Sequence, residues 1–165
     1  MKKIAVLSML TGFALMLSYV ESLIPLTPGI PGIKLGLANL AVVLCLYLYD
    51  WKDALMVNVA RVLLASFLFG NLYVVLYSLA GALASFAAMA AAKRAACFSM
   101  IGVSVCGGVF HNAAQLLVAT AVVRTIQVVW YLPWLLIAGC VTGMLIGLTA
   151  MEVLKYVRIS DWKGG

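Results

Sequence analysis

Apolar residues run through this chain in long blocks, and polar residues collect at the block edges. The blocks fall at about 4–24, 33–49, 54–69, 71–92, 99–123 and 132–157. Most approach or exceed the ~20 apolar residues that a helix needs to cross the hydrocarbon core of a bilayer. Residues 54–92 are nearly continuous; at ~1.5 Å per residue, one helix of that length is about twice the thickness of the core. A break is therefore expected, and Phe69-Gly70-Asn71 supplies it, because Gly and Asn punctuate helices. Pro133 suits the first turn of the last block. The pattern predicts an all-α integral membrane bundle of six transmembrane helices forming one domain over residues 1–165.

Composition agrees. The 165 residues are 66% hydrophobic and 10% charged, with a mean hydropathy of +1.16. A soluble domain carries about 25% charged residues. Net charge is +6, and its distribution is more informative than its size. With the amino terminus inside, Lys2, Lys3, Lys52, Lys93, Arg94, Lys155, Arg158 and Lys163 fall on the cytoplasmic side, against Lys34 and Arg124 outside. The positive-inside rule then places both termini in the cytoplasm. Trp130, Tyr131 and Trp134 form the outer aromatic belt, and Trp51 and Trp162 the inner one. No basic patch with interleaved aromatics points to nucleic acid. The opening Met1-Lys2-Lys3 and apolar run resemble a secretory signal, but no small-x-small site precedes Glu21, so a retained first span is expected.

The polar residues are few enough to weigh singly. Three of the four prolines lie between Pro25 and Pro31, bracketed by Glu21 and Lys34, with Asn39 just inside the next block. On the predicted topology this is an outer loop stiff enough to cover a pocket. Arg61 lies mid-span with Asn58 one turn before it. Ser104, Gly108, His111, Asn112 and Gln115 read as one polar stripe on the fifth helix. Ionisable groups inside a membrane cost about 2.5–3.5 kcal/mol each near its centre, so they tend to mark function. If the first and third helices start at equal depth, Glu21 lies ~26 Å along its helix and Arg61 ~11 Å. That offset predicts that Glu21 pairs with Lys34 rather than Arg61. Two explanations of Arg61 stay open: an anionic ligand, or backbone carbonyls and side-chain amides.

Substrate-binding candidates are accordingly Glu21, Lys34, Asn39, Arg61, Asn71, His111, Asn112 and Gln115, with Tyr73 or Tyr77 available to stack on a ring. No metal and no cofactor are expected. The only histidine has no ligand partner at suitable spacing, and Cys45, Cys97, Cys106 and Cys140 are scattered singly. Five acidic residues form no aspartate-rich cluster, and there is no phosphate loop or nucleophilic triad. The expectation is a protein that is not an enzyme.

Small residues recur every fourth position: Ser8 and Gly12 on the first helix, Ala80, Ala84, Ala88 and Ala92 on the fourth, Gly139, Gly143 and Gly147 on the sixth. Such spacing lets helices approach closely in lipid. It serves packing within the bundle, or docking of a partner through Ser8, Gly12, Ala80, Ala84 and Ala88.

Two segments, Pro31-Gly-Ile-Lys34-Leu-Gly36-Leu-Ala-Asn39 and Gly107-Gly-Val-Phe-His111-Asn112-Ala-Ala-Gln115, resemble the signatures of the bacterial Gx transporter family. That family is also labelled heptaprenyl diphosphate synthase component I. It is similar to the S components of energy-coupling-factor transporters, which are six-helix, vitamin-binding membrane proteins. The resemblance implies an S-component-like bundle in the bacterial cytoplasmic (inner) membrane, a pocket opening outward, and a small vitamin-like or precursor molecule as ligand. It also implies a transmembrane coupling subunit and two cytoplasmic ATPases as partners. The synthase label implies an alternative: a non-catalytic accessory membrane subunit of isoprenoid or quinone (heptaprenyl diphosphate) biosynthesis, since chain elongation needs aspartate clusters absent here.

Overall fold

The computed structural model describes residues 2–23, 36–70, 72–124 and 126–157. Six α-helices follow in order: α1 (Lys2–Leu23), α2 (Asn39–Leu48), α3 (Trp51–Phe69), α4 (Leu72–Arg94), α5 (Met100–Val123) and α6 (Leu132–Tyr156), with a 3₁₀ turn at Ile126–Tyr131 leading into α6. The described residues contain no strand. Among the described residues, four segments are long and apolar enough to cross a membrane: Lys3–Leu23, Leu72–Arg94, Met100–Val122 and Val129–Tyr156. Large apolar side chains such as Met16, Phe67, Leu117 and Trp134 stand exposed on the outside. This is the inverse of a water-soluble surface and marks a membrane bundle.

Local chemistry sets the helix ends. The hydroxyl oxygen of Ser99 accepts the Gly102 amide at 3.2 Å and caps α5. Arg124 ends it in the left-handed conformation. Gly70 closes α3 with an extended backbone, at the break the apolar run requires. Pro133 sits within the first turn of α6. Lys93 and Arg94 occupy the last turn of α4, and Lys93 Nζ also donates to the Leu46 carbonyl at the end of α2. Both placements put a cation where carbonyls are unsatisfied.

The second element departs from expectation. The apolar pattern predicts a helix over 33–49, yet α2 covers only Asn39–Leu48, a length of ~15 Å or half the bilayer core. Gly36 has φ +81°, which a right-handed helix cannot contain, so the chain enters as a turn. Asn39 N–H donates to the Gly36 carbonyl at 2.8 Å and Leu40 N–H to that of Leu37 at 3.0 Å. Such irregular backbone is tolerated at depth because protein, not lipid, surrounds it. Being apolar all round, α2 is the central element: eight of its ten residues are buried, and it touches α1, α3, α4, α5 and α6. Leu7, Val42, Leu46, Val57, Met89 and Val103 are among the core around it.

Side chains on α5 divide by rows of four. Gly108 meets α6 backbone to backbone, because a Cβ on Gly139 would come within 2.8 Å of the Gly108 carbonyl oxygen. A Cβ on Gly143 would come within 2.6 Å of Val105 Cα, and one on Gly147 within 2.7 Å of Ile101 Cα. The glycine stripe of α6 is therefore spent inside the bundle.

Candidate functional site

The buried polar residues gather where the turn into α2 meets α1, α3, α4 and α5. Asn39, the first residue of α2, links three helices: its Oδ1 accepts Arg61 Nη2 at 2.9 Å, and its Nδ2 donates to Ser85 Oγ at 3.3 Å. Arg61 Nε donates to Asn58 Oδ1 at 3.1 Å, and Asn58 Nδ2 to the Ala82 carbonyl at 2.9 Å. Arg61 is 6% exposed and Asn58 fully buried. A guanidinium held by two amides has its geometry fixed while its charge still needs compensation.

Glu21 supplies a negative charge nearby. Its Oε1 accepts the Gly36 N–H, in a short hydrogen bond, and the Leu37 N–H at 3.4 Å. The carboxylate is buried. Glu21 and Arg61 line one small cavity together with Ser18, Gly36, Ser66, Ser78 and His111. Its free space is about 10 Å³, room for about one water molecule. The hydroxyls of Ser66 and Ser78 are buried there and make no hydrogen bond.

His111 reaches this place through two glycines. A Cβ on Gly81 of α4 would lie 3.0 Å from His111 Cε1 and 2.8 Å from Gln115 Cγ, and one on Gly36 would lie 3.8 Å from His111 Cδ2. Gly81 must stay small for the imidazole to sit there, whereas Gly36 is in ordinary contact with the ring and is held to glycine by its positive φ. Among the described residues, no three His, Cys, Asp or Glu side chains gather where a metal ion could be held.

The family model for heptaprenyl diphosphate synthase component I matches residues 10–153. The chain belongs to this family. Neither the curated proteins nor the solved structures contain a match to it. In this member of heptaprenyl diphosphate synthase component I, the matched region holds all the cavity residues and all six helices apart from the ends of α1 and α6.

Four of the predicted site residues, Glu21, Asn39, Arg61 and His111, are brought together, and Gln115 packs beside His111 against Gly81. Glu21 and Arg61 line the same cavity but form no ion pair with each other, and the expected partner Lys34 lies outside the described residues. Two readings need correction. Asn112 belongs elsewhere, since its Nδ2 donates to the Leu135 carbonyl of α6 at 2.8 Å; the stripe on α5 is two rows, not one. Tyr73 is 60% exposed at the start of α4, one turn beyond buried Tyr77, and stands outside the cavity. Lys34 and Asn71 lie outside the described residues, as does most of the proline segment.

Ser18, Ser66 and Ser78 were missed. A serine in an apolar helix commonly bonds its own backbone and draws no notice. Their spacing carried a signal nevertheless: Ser18 lies three residues before Glu21, and Ser78 three before Gly81.

Of the docking candidates, Ser8 and Gly12 line an apolar groove of about 440 Å³ between α1 and α3. Ala80, Ala84 and Ala88 are half-buried beside the packed face of α4.

Proposed function

We propose that this chain is the substrate-binding membrane subunit of an energy-coupling-factor type importer, taking a small vitamin-like or precursor molecule from the outer face of a bacterial inner membrane. The observation that carries the reading is the polar cavity itself. A bundle otherwise packed with apolar side chains commits a buried Arg, Glu and His, with two unbonded serine hydroxyls, to one point between four helices. Burial of such groups is costly and is retained where a ligand uses them. The likeness of the two sequence signatures to the S-component-related family supports the same reading. In this orientation both termini are cytoplasmic, and the groove beside Ser8 and Gly12 receives the transmembrane coupling subunit, which works with two ATPases.

With free space for about one water molecule, the cavity has no room for a vitamin-sized ligand, so capture requires the Glu21–Gly36 contact to open. Mass spectrometry of the detergent-purified protein tests this directly: a stoichiometric small molecule is expected in the wild type and not in an Arg61→Ala, His111→Ala double variant. Equal recovery from both would sink the reading, as would the absence of any co-purifying molecule together with no association with an ATPase pair.

The family's name favours a second reading, a non-catalytic accessory subunit of heptaprenyl diphosphate synthesis. Co-purification with a soluble prenyl synthase instead of ATPases decides for it.

A further inference from the structure

The geometry points to a seat for a ligand's carboxylate at this cavity, with Glu21 holding that place while the protein is empty. The inference rests on the capture reading and names the chemical class of what is captured.

Three independent features converge on one position. The first is the turn before α2, where Gly36 in the left-handed conformation and the adjoining Leu37 direct consecutive N–H groups at a single oxygen of Glu21. Consecutive amides in such a turn form a concave donor site for an anion, and the helix that follows adds the positive end of its dipole. The second is Arg61, buried and fixed by Asn58 and Asn39, so that its charge is held still rather than free to follow Glu21. The third is the pair of serines on α3 and α4. Ser66 and Ser78 are 2% and 7% exposed, line the cavity, and have hydroxyls without a partner. A carboxylate present only for structure needs no unbonded donors beside it, since buried hydroxyls are otherwise satisfied.

The size of the space dictates how a ligand arrives. With free volume for about one water, a second carboxylate enters only if the first leaves. Glu21 sits in the last turn of α1, where a change of rotamer carries it away without unwinding the helix. One carboxylate then replaces another beside Arg61. Net charge in the cavity is unchanged, so the exchange avoids the penalty of leaving a buried cation uncompensated. A neutral or cationic group offers no such exchange. The hydroxyls of Ser66 and Ser78 donate to the second oxygen of the incoming group.

Chemical rescue tests this. Glu21→Ala removes the internal carboxylate and leaves a hole of its size, whereas Glu21→Gln keeps the hole filled. In purified full-length protein, acetate is expected to raise the melting temperature of Glu21→Ala saturably at millimolar concentration. Wild type and Glu21→Gln should not respond, and chloride at equal ionic strength should have no effect on any of the three. Adding Ser66→Ala and Ser78→Ala to Glu21→Ala should weaken acetate binding about a hundredfold, the expected loss of two hydrogen bonds to a charged group. If Glu21→Ala fails to fold, acetate during extraction should restore the folded yield. An acetate-blind Glu21→Ala overturns the inference, and so does an equal response in all three proteins, indifference to the serines, or rescue by phosphate in place of acetate. An acetate-blind variant with a carboxylate-free molecule co-purifying in the wild type removes the seat and leaves capture standing. Acetate rescue with no molecule in the wild type does the reverse.

Discussion

The two faces of α5 are built from the same small repertoire and do opposite things. Ser104, Gly108 and Asn112, four residues apart, face α6, where Gly139, Gly143 and Gly147 admit the backbone itself and Asn112 is tied to the Leu135 carbonyl. Gly107, His111 and Gln115, also four apart, face α4, where Gly81 makes room for side chains and not for backbone. On the first face, glycine closes a seam in which lipid and water have no place. On the second, it holds open just enough space for an imidazole beside Arg61 and Glu21. Small residues in a membrane helix therefore have no single meaning. What matters is whether the opposing helix offers backbone or a long polar side chain.

The seam is the place to break that contrast hardest. Gly143→Leu drives a side chain into the Cα of Val105, where nothing flexible can yield. A loss of about 4 kcal/mol or more, or failure to recover folded protein, is expected in detergent unfolding experiments. Arg61→Leu ranks next. It leaves Asn39, Asn58 and Glu21 facing an apolar group, at a cost of about 3 kcal/mol. The same unfolding measurement checks it, and any bound small molecule should be lost as well.

Gly81→Ala sharpens the comparison, because its new Cβ would lie 2.8 Å from Gln115 Cγ and 3.0 Å from His111 Cε1, buried side chains rather than backbone. We expect a penalty of about 2 kcal/mol and a clear loss of co-purified ligand. An unaltered ligand content would mean that the α4 side of α5 is packing alone. Gly12→Ala lies outside both faces with open space around it. Helix propensity predicts a gain of up to about 1 kcal/mol, while association with a coupling subunit through the α1–α3 groove should weaken.

Much of this was legible in the chain because hydrophobic blocks in a membrane protein translate almost directly into helices. Gly70, Pro133 and the length limit of a span placed the boundaries within a few residues. Arg61, Asn39 and His111 stood out because polar groups among apolar ones are rare and expensive. The failures have physical causes too. The positive φ of Gly36 is invisible in a run that reads as continuously apolar, so α2 looked long enough to span. Counting rise per residue kept Glu21 and Arg61 from pairing, and no ion pair joins them, but it gave no sign that both side chains line one cavity. Treating positions 104 to 115 as one stripe merged two rows that lie about 100° apart on the helix surface.

The sequence by itself determined the class of the protein: six apolar helices, a membrane as solvent, and a short set of polar residues that needed a reason to be there. Only the tertiary structure decided which of those residues meet. Meeting depends on where α2 begins and on which neighbour each row of α5 faces, and both are set by contacts between segments far apart in the chain. A half-length α2 brings Gly36 and Asn39 into the interior, and Glu21 and Arg61 follow them there, because a buried amide and a buried charge must be satisfied by whatever lies closest.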